Sequence, residues 1–500
     1  MALICIGCTL IAALPTNIAL FRTRTKLGFL LALFNTSLAF FLFSFQEKTK
    51  VKESVLCKKC ICNFDTSLLD CSEKLGQWLS AEEWEILING DLTFKTIKLE
   101  HNNLTSISIL PKYSVENLYL AYNQITDIAD GAFQNLTEMT TLDLSHNKLT
   151  AKALRPDVFK GPYTVHNFKA LEKMKALNLG NNEIHSLDAD LFEHIPNLEE
   201  LILCSNTFQV IDKLTETAIS GLNSLKTLDI SYLEIEDLPE TVLHGPRDLD
   251  DLIASGNLFR QLPKALKYAK NLERLVLDEN PIESLEGNNV FPPMANLRYL
   301  RMSYMPNLFK IGNGALSELQ NLTELVLSDN KVLNEIDERA LSKNVTGGRY
   351  LDYPPLEHVY LNNCNLTTLP TALIVRWDKL TLDLRFNPWS CDSSNDYLIN
   401  VLIQQINKTN PLLAKDVQCA TPIELKDVTV LRVSNEHLAA GSSGSLIWVG
   451  LLVVLLIAIP TILGAYVMKR RGCFGLFNRN ENGASRALYN RTSINEDFHI

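Results

Sequence analysis

Catalytic signatures are absent from this chain of 500 residues. It contains no G-x-S-x-G, no H-E-x-x-H and no phosphate-binding P-loop, and its nine histidines are dispersed. Glycine (22 residues) and proline (19 residues) are too few for collagen, and 46% hydrophobic residues exclude a disordered chain. We therefore expect a protein that is not an enzyme, with no cofactor, no catalytic residue and no metal ligand.

Basic stretches are also missing from the body of the chain. The net charge is −10, although residues 1–45 carry three basic and no acidic groups and residues 469–500 carry six basic and three acidic groups. The remaining residues, 46–445, therefore carry −16. Such an acidic segment disfavours nucleic acid and heparin as general partners.

The longest apolar run without a charge lies near the C-terminus, at residues 446–468. At about 1.5 Å per residue, a helix of this length crosses the hydrocarbon core of a bilayer. Lys469, Arg470 and Arg471 follow at once, which predicts a cytoplasmic tail at 469–500. A buried core helix is the alternative, but it would need a very large core. We expect a type I single-pass protein of the plasma membrane, with a linker at 434–445.

The N-terminus has two apolar stretches, 2–21 and 27–45, on either side of Arg22, Arg24 and Lys26. We interpret residues 1–45 as a signal or hydrophobic leader, either cleaved or kept as an anchor. The first stretch has two other interpretations, a gene-model extension or one half of a double-spanning hairpin. Whether the leader is cleaved or kept as an anchor, residue 46 onward should reach the oxidising side of a membrane.

A repeat fills the body of the chain. The template L-x-x-L-x-L-x-x-N recurs, for example as Leu198, Leu201, Leu203 and Asn206. This pattern is typical of leucine-rich repeats, in which each repeat supplies one strand and must stack on its neighbours. It predicts an α/β leucine-rich repeat solenoid at 94–386, a curved horseshoe with a parallel concave sheet. The last template position falls at residues 102, 123, 147, 182, 206, 233, 257, 280, 305, 330, 364 and 387, giving twelve repeats.

The repeat is interrupted at several places. Leu233, Met305 and Cys364 replace the asparagine, and Leu233 and Met305 should weaken its hydrogen bonds locally. Two longer intervals predict loops at about 151–171 and 333–355. A degenerate extra repeat is an equally good interpretation of the first.

Cysteines flank the repeats on both sides. The first group is Cys57-x2-Cys60-x-Cys62-x8-Cys71, whose C-x-x-C spacing also suits zinc, although the export signal argues against a metal. With Cys391 and Cys419 on the far side, residues 57–432 resemble the extracellular leucine-rich repeat proteins with cysteine-rich flanks. Slit, the Toll receptors and the insect adhesion proteins chaoptin, connectin and capricious belong to that family, but the tail here is too short for a Toll signalling domain.

The resemblance implies a disulfide-braced cap at each end. The N-terminal cap, 57–93, would contain the pairs Cys57–Cys62 and Cys60–Cys71. The C-terminal cap, 387–433, would keep only Cys391–Cys419, because Ser393 stands where the family has another cysteine. Cys204 and Cys364 lie many repeats apart and are expected to be thiols.

The concave sheet is the predicted binding surface. Template positions five and eight should project from it and present aromatic and branched apolar side chains, with arginine between them, to a protein partner. The alternative is that these residue types simply favour strands. The candidate partner-binding residues are Tyr119, Tyr122, Ile202, Tyr232, Ile253, Val276, Arg301, Tyr304, Val326 and Tyr360.

Modification and tail motifs complete the candidates. Phe498 and the C-terminal Ile500 resemble a PDZ ligand for a cytoplasmic adaptor, and Cys473 is a candidate for palmitoylation. The tripeptide N-x-S/T predicts glycosylation at Asn103, Asn135, Asn321, Asn344, Asn365 and Asn407.

These features favour a cell-surface receptor or adhesion protein that binds an extracellular protein partner and recruits adaptors through its tail. The alternative is an auxiliary transmembrane subunit that regulates a channel or receptor in the same membrane. Partners in trans would indicate the first, and partners in cis the second.

Overall fold

One sheet of short strands runs through the repeats. The computed structural model describes residues 55–89, 93–163, 169–287, 290–344, 351–374 and 380–470. Within them the sheet has 14 strands, two from the N-terminal cap and twelve from the repeats, which confirms the predicted solenoid. The strands are β1 (Ile61–Asn63), β2 (Leu68–Asp70), β3 (Thr96–Lys98), β4 (Asn117–Tyr119), β5 (Thr141–Asp143), β6 (Ala176–Asn178), β7 (Glu200–Ile202), β8 (Thr227–Asp229), β9 (Asp251–Ile253), β10 (Arg274–Val276), β11 (Tyr299–Arg301), β12 (Glu324–Val326), β13 (His358–Tyr360) and β14 (Thr381–Asp383).

The middle residue of each repeat strand points into the core. Leu201, Leu228 and Leu252 lie side by side in parallel register and are buried, while the residues on either side of each are not. Successive side chains of a strand face opposite sides of a sheet. The first and third residues of every strand therefore share the concave face, and they form two rows across the repeats.

Buried asparagines join one repeat to the next. The Nδ2 group of Asn280 donates to the carbonyl of Leu277 in its own repeat (3.0 Å) and of Ala254 in the preceding repeat (2.9 Å). Its Oδ1 atom accepts a hydrogen bond from Phe259 N at 3.2 Å. One amide thus pairs backbone groups that the turn leaves free, which removes the cost of burying them.

The three departures from asparagine differ in consequence. Cys364 preserves one bond, because its Sγ lies 3.1 Å from the carbonyl of Leu327, the position that an asparagine amide contacts elsewhere. Leu233 and Met305 are buried, and neither side chain can donate a hydrogen bond. In their place Asn257 and Asn330 of the following repeats accept hydrogen bonds from the backbone N–H groups of Leu233 and Met305.

The convex side consists of short elements. Asp212 caps helix α3 (Lys213–Ser220), where its side chain accepts a hydrogen bond from Thr215 N, and the helix buries Ala218 and Ile219. Short strands occur at Ser106–Ile107, Asp127–Ile128, Ser284–Leu285, Lys310–Ile311 and Glu335–Ile336, and 3-10 turns at Ala151–Ala153, Pro156–Phe159, Lys264–Tyr268 and Thr371–Leu373.

The two insertions behave differently. For the first, a loop and a degenerate extra repeat were equally good interpretations. It has two 3-10 turns, and Leu154 between them and Val158 and Phe159 in the second are buried, because these apolar side chains fill the core of their repeat. The second forms a small hairpin, in which Lys343–Asn344 pairs in antiparallel fashion with Leu351–Asp352.

Both caps are joined by disulfides between the pairs that the family resemblance implies, Cys57–Cys62, Cys60–Cys71 and Cys391–Cys419. The N-terminal cap adds helices α1 (Val55–Lys59) and α2 (Ala81–Asn89). In the C-terminal cap, Trp389 is fully buried and its Nε1 donates to the carbonyl of Leu384 at 2.9 Å. The cap also contains strands Trp389–Ser390 and Cys419–Thr421, 3-10 turns Ser393–Asn395 and Ile423–Leu425, a π-helical turn Leu398–Leu402, and helices α4 (Ile403–Thr409) and α5 (Pro411–Lys415).

The last helix, α6 (Val430–Arg470), begins inside the C-terminal cap and continues without a break. Its segment Gly450–Val467 has a mean hydropathy of 2.5, none of it is buried, and it is long and apolar enough to cross a membrane. Where we expected a linker at 434–445, the structure has helix. That stretch contains no proline, and extending an existing helix costs far less than starting one.

Candidate protein-binding face

The concave face is built by the in-register strands. The third residues of neighbouring strands are direct partners, so Ile202, Asp229 and Ile253 follow one another in one row. Glu200, Thr227 and Asp251 do the same in the row of first residues. Except for Glu200, which is exposed, these side chains are half-buried.

One predicted binding residue is not available on this face. Val276 is only 5% exposed, which corrects the expectation that it projects towards a partner. Its row neighbour Arg301 reaches Asp278, two residues after Val276, with Nε 2.7 Å from Oδ2. We attribute the burial of Val276 to this long neighbouring side chain. The other predicted row members, Tyr119, Ile202, Ile253, Arg301, Val326 and Tyr360, are half-buried.

A second surface feature borders the sheet. We call the column formed by the last template residues, most of them asparagine, the asparagine ladder. The residue before each ladder position has a positive φ, between 52° and 63°, in all twelve repeats. Left-handed residues are rare outside glycine and asparagine, so their alignment at one template position reflects the tight turn that leads into each ladder residue. We call this the turn column; it comprises His101, Tyr122, His146, Asn181, Ser205, Tyr232, Gly256, Glu279, Tyr304, Asp329, Asn363 and Phe386.

The turn column presents aromatic side chains to solvent. Tyr122, Tyr232 and Tyr304, all predicted binding residues, are 46%, 45% and 52% exposed. Phe386 is also exposed. Large exposed aromatic groups on a rigid scaffold are typical of protein-binding surfaces.

At the N-terminal end of the column, three rings form one stack. The ring of Tyr122 lies between those of His101 and His146, with centroids 4.3 and 3.9 Å away and nearly parallel planes. In the sequence, the histidines were noted only as dispersed. The signal for the stack was nevertheless present, since the three residues occupy position eight of consecutive repeats.

In the centre of the column, Tyr232 lies across Gly256. A Cβ atom on residue 256 would be 2.2 Å from Cδ1 and Cε1 of the tyrosine ring, so only glycine leaves room for it. The Tyr232 hydroxyl donates to Oε1 of Glu279 at 2.8 Å. This hydrogen bond raises the pKa of Tyr232 and fixes its ring across two repeats. The role of Gly256 and Glu279 was missed because neither has the apolar character that marked the other candidates.

Arginines on the face are paired within it. Arg274 Nη1 lies 3.0 and 3.1 Å from the two carboxylate oxygens of Asp251, and its guanidinium lies over the ring of Tyr299 with its centroid 5.1 Å away. Burial raises the pKa of Asp251, although Arg274 opposes the shift. Burial likewise raises the pKa of Asp278, against the opposing hydrogen bond from Ser303 N and the charge of Arg301.

The remaining predicted residues are dispersed over the surface or lie outside the described residues. Asn103, Asn321, Asn344 and Asn365 are exposed, while Asn135 and Asn407 are half-buried. The Nδ2 group of Asn135 donates to the carbonyl of Leu110 at 2.8 Å. The leader 1–45, Cys473, Phe498 and Ile500 fall outside the part of the chain that the structure describes.

The side chains of this face form ion pairs, hydrogen bonds and ring contacts with one another. Within the described ranges, no group of three or more His, Cys, Asp or Glu side chains is placed to hold a metal ion. In the part of the chain that the structure describes, the free thiols are Cys204 and Cys364, and burial raises their pKa values to about 11 and about 12. Both therefore stay protonated at neutral pH and are poor nucleophiles.

Comparisons with known proteins divide the chain into two parts. A leucine rich repeat family model matches residues 114–162, 164–208 and 196–259. A model of the ALG6, ALG8 glycosyltransferase family matches residues 1–62. The probable dolichyl pyrophosphate Man9GlcNAc2 alpha-1,3-glucosyltransferase of Drosophila melanogaster is 80% identical over 51 residues, which are 10% of this chain and 11% of that protein. A match of this extent transfers no activity to the chain.

The repeats have relatives of their own. Osteomodulin of Bos taurus is 30% identical over 210 residues, 42% of this chain and 45% of osteomodulin. CD180 antigen of Mus musculus is 25% identical over 348 residues, 68% of this chain and 46% of CD180. The chain thus spans just under half the length of these relatives.

Among solved structures, the glycosylated Toll–Spatzle complex of Drosophila is similar, with a TM-score of 0.49, 18% identity, and coverage of 71% of this chain and 49% of that one. Together with the in-register sheet and the asparagine ladder, the family match over residues 114–162, 164–208 and 196–259 shows a leucine-rich repeat solenoid.

Proposed function

We propose that the chain is a single-pass membrane protein whose solenoid binds an extracellular protein partner through the concave face, as a receptor or adhesion molecule. The observation that carries the proposal is the exposed aromatic line of Tyr122, Tyr232 and Tyr304 beside the sheet. The apolar segment Gly450–Val467 supports attachment to a membrane, and the disulfides support an oxidising, extracellular location. The proposal includes glycosylation at the exposed sequons and adaptor binding by the tail.

The experiment displays the full chain on cells and measures binding to a panel of purified secreted and cell-surface proteins. Ile253→Arg places a bulky charge in the middle of the concave face, and we expect at least a tenfold loss of partner binding with unchanged surface expression. The control is Ile109→Arg, at an isoleucine that is exposed and belongs to neither concave row nor the turn column. Equal binding by both variants and the unchanged chain would contradict the proposal.

A second function is favoured by helix α6. Because the helix runs from the cap into the apolar segment without a break, a movement of the solenoid would be transmitted to the membrane. This suits an auxiliary subunit that acts on a channel or receptor in cis. Aggregation of cells that express the chain would indicate trans partners, whereas crosslinks confined to proteins of the same membrane would indicate the auxiliary role.

A further inference from the structure

The centre of the concave face combines apolar, aromatic and acidic side chains, and its occupant can be inferred from that combination. Ile202 and Ile253 flank Asp229 in one row, Glu200 lies in the other row, and Tyr232 borders them in the turn column. We call these five residues the central face. The inference below rests on the proposed function and names the chemistry of its partner.

The positive charges of the concave face are already neutralised by acids of the same face. Lys98 pairs with Glu100 at 3.6 Å, Arg274 with Asp251 and Arg301 with Asp278. Arg385 pairs with Asp383 at 2.7 Å. None of these cations is free to pair with the carboxylates of the central face.

Two carboxylates of the central face lack a cation. In the described residues no Lys, Arg or His forms an ion pair with Asp229 or Glu200. The nearby Lys175 and Lys226 are both held by Glu199, at 2.6 and 2.7 Å. Asp229 is oriented on the face, because its Oδ1 atom accepts a hydrogen bond from Ser231 N at 2.9 Å.

We propose that the central face binds a protein partner through lysine or arginine side chains. The aliphatic stem of such a residue would pack on Ile202 and Ile253, and its charged end would reach Asp229 and Glu200. The ring of Tyr232, which Glu279 holds in place, would contact the partner beside it. A second copy of the chain is the less suitable occupant, because the body from 46 to 445 carries −16 and would repel itself.

The first test uses the full chain in phosphatidylcholine nanodiscs and a fluorescent poly-L-lysine 20-mer as the probe, with poly-L-glutamate for comparison. Glu200→Gln combined with Asp229→Asn removes two charges without changing shape. We expect poly-lysine binding to fall about tenfold and the salt dependence of binding to weaken. The matched control, Glu193→Gln with Glu424→Gln, changes the net charge equally at exposed residues that form no ion pair in the described structure. An equal loss in both double variants, or none in either, would overturn the proposal.

The second test uses a protein partner found in the display panel. If Ile253→Arg abolishes its binding but the Glu200→Gln, Asp229→Asn variant binds normally, the concave face is functional and the basic partner is wrong. If both variants lose binding, a charge reversal tests the contact directly. The Glu200→Lys variant should bind a partner in which the contacting lysine has been changed to glutamate. If chains in separate nanodiscs bind one another, and the Glu200→Gln, Asp229→Asn variant abolishes this association, the occupant is a second copy of the chain and the basic partner is wrong. Unchanged binding by every variant would show that the partner does not bind the concave face.

Discussion

The hydroxyl of Tyr232 and the carboxylate of Glu279 form a hydrogen bond of 2.8 Å although one whole repeat separates them. The ring spans that repeat by lying over Gly256, where a side chain would occupy its place. A tyrosine that is 45% exposed is thus held in one orientation before any partner arrives. Fixing an exposed ring in advance lowers the entropic cost of ordering that side chain when a partner binds.

We predict that Gly256→Ala displaces the Tyr232 ring, weakens partner binding and lowers the free energy of unfolding. Alanine at a φ of +63° costs about 1–2 kcal/mol in the backbone alone, and the clash with the ring adds about 1 kcal/mol. Thermal unfolding and partner binding of the full chain measure the two effects.

Gly287→Ala is the matched control. Gly287 also has a positive φ, but a Cβ atom there would have no neighbour within 4 Å. Gly287→Ala should therefore lower the free energy of unfolding through its backbone strain but leave partner binding unchanged. If both alanine variants bind the partner equally well, the orientation of Tyr232 does not matter for recognition.

A second prediction concerns the asparagine ladder. Asn280→Ala should leave the carbonyls of Ala254 and Leu277 and the N–H of Phe259 without their side-chain partner in the core. An unpaired buried polar group costs about 1–3 kcal/mol, so a loss of at least about 2 kcal/mol in the free energy of unfolding is expected. Chemical denaturation measures it.

Asn271→Ala serves as the comparison, because Asn271 is exposed and its two hydrogen bonds are made at the surface: its Nδ2 donates to the carbonyl of Arg247 at 2.7 Å, and its Oδ1 accepts from Asn296 Nδ2 at 3.3 Å. Its effect should stay within about 0.5 kcal/mol. Similar losses for Asn280 and Asn271 would mean that water replaces the ladder bonds and that the amides do not join the repeats.

Much of this architecture could be predicted because it follows from a local pattern. Leu201, Leu203 and Asn206 occur at fixed spacing, and a repeat cannot bury such leucines without neighbours on both sides. The burial of Val276 could not be predicted in this way. We attribute that burial to the side chain of Arg301, which lies in the next repeat and reaches Asp278, so that it is a property of two repeats together.

The turn column was only partly predicted for the same reason. Its tyrosines were identified by residue type, but Gly256 contributes by having no side chain, and a single template position does not reveal that. Similarly, His101 and His146 gain a common environment only because the intervening repeat places Tyr122 between them. Aligning the twelve repeats and comparing the residues at position eight would have shown both the glycine beside Tyr232 and the tyrosine between the two histidines.

The ring stack gives a third prediction. Tyr122→Ser should lower the free energy of unfolding, because each stacked aromatic pair is worth about 0.5–1.5 kcal/mol. Tyr122→Phe should leave it nearly unchanged, since the ring is kept. Differential scanning calorimetry at neutral pH separates the two. Equal stability of the serine and phenylalanine variants would show that the stack contributes nothing.

A fourth prediction concerns acid and the cap of helix α3. Burial raises the pKa of Asp212, but hydrogen bonds from the Ser186 hydroxyl and from Thr215 N outweigh it and hold the pKa below the usual 3.8. A lowered pKa in the folded chain stabilises the fold above pH 3.8, and this contribution is lost as the pH falls through the folded value. Asp212→Ala should cost about 1 kcal/mol at neutral pH.

Asp212→Asn separates the cap from the charge, because its side-chain oxygen can still accept the hydrogen bond from Thr215 N. We expect it to keep most of the stability at pH 7 but to flatten the decline of the unfolding temperature below pH 3.8. Asp248→Ala, at an exposed carboxylate that forms no ion pair in the described residues, should reproduce neither effect. If Asp212→Asn declines with acid as steeply as the unchanged chain, the acid sensitivity of the solenoid arises from other carboxylates.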